Sequence, residues 1–535
     1  MTEKLALSAL DWVVCLAALV ASILIGLLIS VLKRSSQSSD GFFLAGRSLT
    51  WPVVGASLFA TNISAEHLVG LSGDSYRYGL CAGTVELTTA ICLGFAAAVL
   101  LPHYFRNRIS TIPEFLELRY GPAARTFFSG LMVVICIMTK TAFTLYAGAM
   151  VLHLLTGWDI MTTVLLLAAA TALITVIGGF TTVAYTDAIQ TIIMLIGSGW
   201  MTYIGLTKVG WWPGLVARVP DMVHMAKPFD DPNYPFWGII AGAVYGGIFY
   251  WGMDQVNVQR LLGARDLRQA RWGAMFAILL KLFPVFIFAL PGVIAFALFP
   301  GREPKTIFVT LLNELLPHGL RGLLLASLLA ALVSSLLAIM NSISTLAVRD
   351  FVVKIWPKIT EQGQVYAGRI AIVVSALLAI VATWLIARSP EGLYKYLQTI
   401  SIYLVMPVTP SIAFGIMSKK VTKLGALVSV CVGVLLATLF VVDQQIGPEL
   451  GSKWFPMLHK TLTLNYTYRG LWGTIIVVFT LFAVSAFTPK TAPEILEKTT
   501  ITWGWNPDRF EGLKDWRLQL AVLSVITVFA YWFVH

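Results

Sequence analysis

Apolar windows of about twenty residues recur along the whole chain and predict a protein that crosses a membrane many times. A window of this length spans a hydrocarbon core roughly 30 Å thick, because an α-helix rises about 1.5 Å per residue. The fourteen windows fall at residues 10–32, 51–73, 79–102, 126–156, 159–178, 185–206, 236–259, 273–299, 318–347, 367–387, 395–417, 422–442, 468–488 and 516–534. The pattern therefore predicts an all-α polytopic membrane protein.

The second window is too polar for a plain membrane helix. Its second half contains Asn62, Ser64, Glu66 and His67. Because an ionisable side chain at the centre of a bilayer costs roughly 2.5–3.5 kcal/mol, such groups indicate a bound ion or substrate. Three glycines flank the polar run, namely Gly55, Gly70 and Gly73. They predict that this helix is broken and forms half of a binding site inside the membrane.

The seventh window has the same character. It reads GIIAGAVYGGIFYWGMDQVNVQR, in which Gly242, Gly246, Gly247 and Gly252 interrupt the helix before the polar residues Asp254, Gln255 and Asn257. Two glycine-interrupted polar spans that lie five helices apart indicate two inverted five-helix repeats. The predicted organisation is a first helix and loop (1–40), a first repeat (41–210), a second repeat (211–420) and three C-terminal helices (421–535).

Single polar residues mark several other apolar windows. They are Glu86, Lys140, Asp187, Lys281, Ser334 and Ser335. A buried carboxylate such as Glu86 is a functional candidate, and the central position of Lys140 favours an ionic partner inside the protein. Two alternatives stay open. Asp187 could cap a helix or lie on an ion path, and the two serines could bond back to carbonyls four residues earlier.

Positive charge is concentrated in alternate loops. The net charge is +11 at pH 7, and Lys and Arg cluster near residues 33–47, 106–125, 260–271, 349–358 and 419–423. This distribution predicts that these loops are cytoplasmic and that both termini lie outside, and it argues against a nucleic-acid partner. Short loops without a cysteine-rich outer domain favour a bacterial inner membrane. The loops carry no nucleophile with a base at useful spacing, so the sequence does not predict an enzyme.

The polar groups form two sets that differ in their chemistry. A broken helix leaves carbonyls without amide partners, and with hydroxyls from a neighbouring helix these oxygens form a neutral cage that suits a monovalent cation. Its predicted members are Ala60, Ile63, Ala331, Ser334 and Ser335. The second set mixes donors, acceptors and aromatic rings, as recognition of a polyhydroxylated solute requires. Its predicted members are Asn62, His67, Glu86, Tyr250, Trp251, Lys281 and Gln398.

Five stretches resemble the motifs of the sodium:solute symporter family, and in particular of its sodium/glucose cotransporter branch. In chain order they are FFLAGRSLTWPVVGASLFATNISAEHLVGLSG, IGGFTTVAYTDAIQ, YWGMDQVNVQR, ALVSSLLAIMNS and YLQTISIYLVMP. The resemblance covers about residues 40 to 425. It implies an all-α polytopic membrane protein with about 14 transmembrane helices and a core of two inverted five-helix repeats, which is a LeuT-like fold.

The resemblance also implies roles at the matching positions. The five cage residues match the sodium site of the family, and His67, Glu86, Lys281 and Gln398 match its sugar contacts. Tyr250 matches an inner aromatic gate, and Asp187 matches a carboxylate on the sodium exit route. Two positions depart from the pattern. Gly247 stands where the bacterial galactose member has asparagine, and Leu337 stands where members that couple two sodium ions tend to carry a hydroxyl, which favours one ion per sugar.

The main hypothesis is a secondary active symporter that couples inward sodium movement to uptake of a glucose-like or galactose-like hexose by alternating access. Sodium is then the co-transported ion, and the expected partners are sodium, the sugar and the lipid bilayer, without an obligate protein partner. Two alternatives remain open. One is a sodium-coupled transporter of another neutral polyol such as myo-inositol, and the other is a membrane sugar sensor that does not transport.

Overall fold

Helices make up the regular structure of the protein. The computed structural model describes residues 7–34, 37–64, 66–229, 231, 233–387, 405–446, 466–501 and 511–533. In chain order the α-helices are α1 (Ala9–Leu32), α2 (Ser39–Leu44), α3 (Trp51–Asn62), α4 (Ser72–Tyr78), α5 (Thr84–Leu87), α6 (Thr89–Phe95), α7 (Leu101–Arg106), α8 (Ile112–Tyr120), α9 (Pro122–Ile135), α10 (Ala142–Thr156), α11 (Ile160–Val209), α12 (Trp211–Arg218), α13 (Phe236–Gly252), α14 (Gln255–Leu262), α15 (Leu267–Leu280), α16 (Leu290–Leu298), α17 (Ile307–Leu315), α18 (Leu320–Leu346), α19 (Val353–Ile355), α20 (Glu361–Ala387), α21 (Thr409–Met417), α22 (Lys423–Ile446), α23 (Tyr466–Ala486), α24 (Pro493–Thr499) and α25 (Trp516–Phe533). Wider π-helical turns follow or join several of them, at Glu66–Leu71, Ala96–Leu100, Cys136–Thr141, Val285–Ala289 and Ala347–Val352.

Nine helical runs in the described part of the chain are long and apolar enough to cross a membrane. They are Ala9–Leu32, Leu80–Arg106, Pro122–His153, Ile160–Val209, Leu267–Leu298, Leu320–Ile355, Glu361–Leu385, Lys423–Phe440 and Tyr468–Ala486. A tenth is the pair of α13 and α14, which is bent by 50°. The window at 395–417 extends into residues outside the described ranges, so the number fourteen stays a prediction, while the all-helical membrane architecture is confirmed.

Both windows with polar runs are interrupted. Helix α3 ends at Asn62, Ile63 is extended with φ −76° and ψ 121°, and helical structure resumes at Glu66. The second break separates α13 from α14 at Met253 and Asp254, and Asp254 is extended with φ −75° and ψ 121°. The two breaks therefore share one backbone conformation, and the prediction of two broken helices is confirmed.

The glycines of the second window are not where its helix breaks. A Cβ atom at Gly55 would lie 2.7 Å from the carbonyl oxygen of Gly273 in α15, and a Cβ atom at Gly73 would lie 2.7 Å from the carbonyl oxygen of Pro304. These glycines instead allow backbones to approach each other closely. The break itself falls on Ile63, which has a negative φ and needs no glycine.

The close contact between α3 and α15 gives a stability prediction. Gly55→Ala is expected to lower the free energy of unfolding by about 1–3 kcal/mol, because the added methyl group meets backbone atoms of α15 that cannot move aside easily. Thermal unfolding of the purified protein would measure the effect. Gly199→Ala in α11 is the matched control, since a Cβ atom there has open space around it. Equal melting temperatures for the two variants would contradict the prediction.

Helix α11 contains a kink at Gly178 and Gly179. Gly179 has φ 57° and ψ −160°, and a Cβ atom on it would lie 2.8 Å from the ring of Phe42. The two windows at 159–178 and 185–206 thus join in one sharply kinked helical run. The segment that follows the kink places Asp187 against α3, where Ser57 donates a hydrogen bond to its carboxylate at 2.6 Å.

Candidate functional site

The break after α3 exposes backbone oxygens next to polar side chains. A helix that stops leaves its last carbonyls without the amides of a following turn. Ile63 still donates its amide to Phe59 O at 3.0 Å, and the next helical turn starts three residues later, at Glu66. The residues around this break supply members of both predicted sets, since Ala60 and Ile63 belong to the cation cage and Asn62 belongs to the solute set.

The solute set forms one continuous chain of hydrogen bonds. The ammonium of Lys281 donates to Glu86 and to Asn62 Oδ1, and the other oxygen of Glu86 lies 3.2 Å from His67 Nε2. Asn62 in turn donates from Nδ2 to the hydroxyl of Tyr250 at 3.1 Å. The side chains of Lys281, Glu86 and His67 are 3%, 11% and 14% exposed. This hydrogen-bond network therefore brings together groups from α3, α5, α13 and the end of α15.

Two aromatic residues close one end of this chain. The rings of Tyr250 and Trp251 meet edge to face, with centroids 5.1 Å apart and an angle of 89° between their planes. Trp251 is buried, and Tyr250 is partly buried. The remaining predicted member, Gln398, lies outside the described residues. Six of the seven predicted solute contacts are thus described, and five of them share one network that Trp251 joins through its ring contact.

The cation set joins α18 to the broken end of α3. The hydroxyl of Ser335 donates to Ala331 O at 2.9 Å and lies 3.4 Å from the carbonyl oxygen of Thr61. Thr61 is flanked by Ala60 and is followed after one residue by Ile63, both fully buried. Ser335 therefore makes both the back-bond to its own helix and the contact to the break.

Ser334 does not share this contact. Its hydroxyl donates to Asp187 Oδ1 at 2.6 Å, whereas that of its neighbour points to the break. Consecutive residues of an α-helix are about 100° apart around the axis, because 3.6 residues complete a turn. The hydroxyl hydrogen of Ser334 therefore points to Asp187 and that of Ser335 to the break, so the two serines link two neighbouring polar clusters.

The carboxylate of Asp187 is the centre of the second cluster. Its Oδ2 accepts hydrogen bonds from Ser57 at 2.6 Å, from Thr61 at 3.4 Å and from Arg260 Nη2 at 3.1 Å. The side chains of Asp187 and Arg260 are both 0% exposed. Asp187 lies within α11 rather than at its start, so the alternative of a helix cap is wrong.

Arg260 is the functional-site residue that sequence reasoning assigns wrongly. The charge pattern groups it with the cytoplasmic loops, yet it lies in α14 and also donates to Ser57 O at 3.2 Å and to Val256 O at 2.5 Å. The available signal is its position at the end of an apolar window, directly after a polar run. A charged side chain at the end of an apolar window can lie in a loop outside the membrane or form a buried ion pair. The packing of the helices determines which of the two occurs.

Lys140 has the internal partner that its central position predicts. Its ammonium pairs with the carboxylate of Asp254 at the second break. In the described ranges, no group of three or more His, Cys, Asp or Glu side chains could hold a metal ion.

A comparison with known families decides what this arrangement belongs to. The sequence model of the sodium:solute symporter family matches residues 42–433. The chain belongs to this family. Membership confirms the resemblance carried by the five motifs, and it identifies sodium as the co-transported ion of a symporter.

Several curated relatives align over most of the chain. Sodium/glucose cotransporter 4 of Danio rerio is 32% identical over 94% of this chain and 82% of its own length. Sodium/glucose cotransporter 1 of Ovis aries is 32% identical over 84% of this chain and 75% of its own length. Sodium/myo-inositol cotransporter 2 of Oryctolagus cuniculus is 31% identical over 89% of this chain and 76% of its own length. The similarity thus extends to transporters named for two kinds of polyhydroxylated solute.

Solved structures confirm the fold class. A Na+-coupled sialic acid symporter in a substrate-bound outward-open state is similar with a TM-score of 0.77 at 19% identity, over 90% of this chain and 99% of that one. Mhp1, a nucleobase-cation-symport-1 family transporter in a closed conformation, is similar with a TM-score of 0.57 at 14% identity, over 86% and 97% of the two chains. The symporter therefore has the LeuT-like architecture of two inverted repeats that its sequence predicts.

Proposed function

We propose that the protein couples inward sodium movement to uptake of a glucose-like or galactose-like hexose. The observation that carries this proposal is the chain of hydrogen bonds from His67 through Glu86, Lys281 and Asn62 to Tyr250. Its carboxylate and ammonium neutralise each other, so the set has no excess charge that would favour an ionic solute. Directed donors and acceptors beside an aromatic pair suit a ring of hydroxyl groups.

We assign the sodium site to the carbonyls of Ala60, Ile63 and Ala331 and to the hydroxyls of Ser334 and Ser335. The contact between Ser335 and the end of α3 supports this assignment, because an ion held there would tie α18 to the broken helix. Asp187 is then the carboxylate on the route by which sodium leaves, since it bonds both Ser334 and Ser57 next to that site.

The two sites meet at one residue, which suggests how they are coupled. Asn62 holds Lys281 with its side chain, while its own backbone belongs to the end of α3 that the sodium ion would fix. Sodium would order this end and thereby position the solute contacts, and binding of both would allow the core to change its accessible side. A membrane potential of 100 mV contributes about 2.3 kcal/mol per charge moved.

A neutral polyol such as myo-inositol is the second candidate substrate. The sodium/myo-inositol cotransporters among the relatives favour it, and it presents the same hydroxyl groups to an uncharged site. A sensor without transport, and an enzyme, have less support, because the relatives named above are all cotransporters. We further propose the division 1–40, 41–210, 211–420 and 421–535, with both termini outside, a bacterial inner membrane as location and no obligate protein partner.

Uptake into liposomes tests the proposal directly. Labelled glucose, galactose, mannose and myo-inositol would each be offered with an inward sodium gradient and with potassium in place of sodium. We expect concentrative uptake of one solute in sodium only. Sodium-dependent stabilisation by a sugar without uptake would favour the sensor, and the absence of both effects for every neutral polyol would contradict the substrate assignment.

Ser335→Ala is expected to raise the sodium concentration needed for half-maximal uptake by about tenfold, which corresponds to about 1.4 kcal/mol for one lost oxygen ligand. The matched control is Ser344→Ala, because Ser344 is also a buried residue of α18 and donates to Gly368 O at 2.9 Å. Sodium activation curves at fixed solute would measure the change. An unchanged curve for Ser335→Ala would show that the cage is assigned to the wrong residues.

A further inference from the structure

The inverted repeats relate the two helix breaks to each other. The first helix of the first repeat breaks at Ile63, and the first helix of the second repeat breaks at Asp254. Their dihedral angles agree closely, at φ −76° and ψ 121° against φ −75° and ψ 121°. If a helix of the second repeat contacts the first break, the equivalent helix of the first repeat should therefore contact the second break.

The partner of each break comes from the third helix of the opposite repeat. In the second repeat this helix is α18, whose Ser335 reaches the carbonyl of Thr61 at the first break. In the first repeat it is the run of α9 and α10, whose Lys140 pairs with Asp254 at the second break. An oxygen site for a cation at one break is thus matched by a protein ammonium at the other.

The second break offers the oxygens that a small cation needs. Asp254 is 1% exposed, and its Oδ1 accepts from the amide of Val256 at 3.2 Å while Oδ2 holds Lys140. One turn later in the same helix, the side-chain amide of Asn257 donates to Tyr250 O at 2.9 Å. The buried Oδ1 of Asn257 has no hydrogen-bond partner among the described residues. A full carboxylate beside a spare amide oxygen is a donor set for a monovalent cation.

We propose that the second break is a cation site in which the ammonium of Lys140 permanently replaces a mobile monovalent ion. This inference rests on the sodium site proposed at the first break, of which it is the counterpart. The Lys140 side chain is 28% exposed, so the position is not sealed from its surroundings. The wild-type symporter would then bind one sodium ion per cycle, and loss of the ammonium would open a second site at Asp254.

Lys140→Gln tests this inference in the full-length protein without any sugar. Melting temperatures would be recorded for wild type, Lys140→Gln and Lys140→Gln/Asp254→Asn while sodium, potassium or lithium replaces choline at constant ionic strength. We expect Lys140→Gln to melt several degrees below wild type in choline and to recover with a saturable cation response that wild type lacks. The double variant should melt near wild type and lack this added response, because it has no charge to balance and the asparagine that replaces Asp254 can still cap α14.

Each outcome decides the matter. A cation response of Lys140→Gln that equals that of wild type would overturn the proposal. If Lys140→Gln fails to fold in every cation tested while the double variant folds, the second break does not accept a mobile ion. If neither variant folds, Lys140 acts through packing. The sodium site at the first break is judged separately, because it fails only if wild type itself shows no sodium-dependent stabilisation.

Discussion

Arg260→Met is expected to lower the free energy of unfolding by about 3–5 kcal/mol, because it leaves the carboxylate of Asp187 as a buried charge without a cationic partner. Both side chains are fully buried, and Arg260 is among the largest buried side chains of the protein. The remaining donors to Asp187 are hydroxyl groups, which cannot replace a positive charge. Thermal unfolding of the purified variant would measure the loss.

Two further variants test whether the loss of stability comes from the unpaired carboxylate of Asp187. Arg265→Met is the matched control, since Arg265 is 65% exposed and its ion pair with Asp266 is at the surface, where such pairs contribute about 0–1 kcal/mol. Arg260→Met/Asp187→Asn should recover part of the stability by removing the unpaired carboxylate. Recovery should be incomplete, because Arg260 also bonds the carbonyls of Ser57 and Val256. A melting temperature of Arg260→Met close to that of Arg265→Met would contradict the expectation.

The polar members of the site could be predicted because polar side chains are rare in membrane-spanning segments. A side chain such as Glu86 or Lys281 is costly in an apolar window, so its presence alone indicates a partner. In the structure these two residues do pair, and Asn62 and His67 extend the pair into one network. For these four residues, composition and position were therefore sufficient to place them in one set.

The detailed pairing could not be predicted, because it depends on contacts between distant segments. Arg260 and Asp187 are 73 residues apart in the chain, and the arginine follows a polar run that also resembles the start of a charged loop. The different directions of Ser334 and Ser335 depend on which neighbours α18 meets on each side. The sequence contains both residues of each contact but not the packing that joins them.

The position of the first break shows a limit of arguments from glycine. Glycine is required where φ is positive, as at Gly179 with φ 57°. Ile63 has φ −76°, in the extended region that any residue adopts, so the residue type at this position does not indicate a break. The polar side chains around it, rather than the glycines, were the reliable signal for an interrupted helix.

Lys281→Met is expected to reduce solute uptake at low solute concentration by about 100-fold. The ammonium bonds Glu86 and Asn62 and so holds these two proposed solute contacts in place. Losing their position together with the contact of Lys281 itself is expected to cost about 2.8 kcal/mol of solute binding, which corresponds to a factor of this size. Sodium-dependent stabilisation of the variant in the absence of solute should stay close to that of wild type, because the cation contacts lie on α18 and on the backbone of α3.

The contrast between solute and sodium is the decisive feature of this prediction. Lys358→Met is the control, since Lys358 is an exposed lysine outside both sets of contacts, and it should leave uptake unchanged. If Lys281→Met shifted the sodium response as strongly as the solute response, Lys281 would have to act on the broken end of α3 through Asn62 rather than on the solute. A selective loss of solute affinity would instead place Lys281 in the binding site, and the sodium ion would then prepare that site without sharing its ligands.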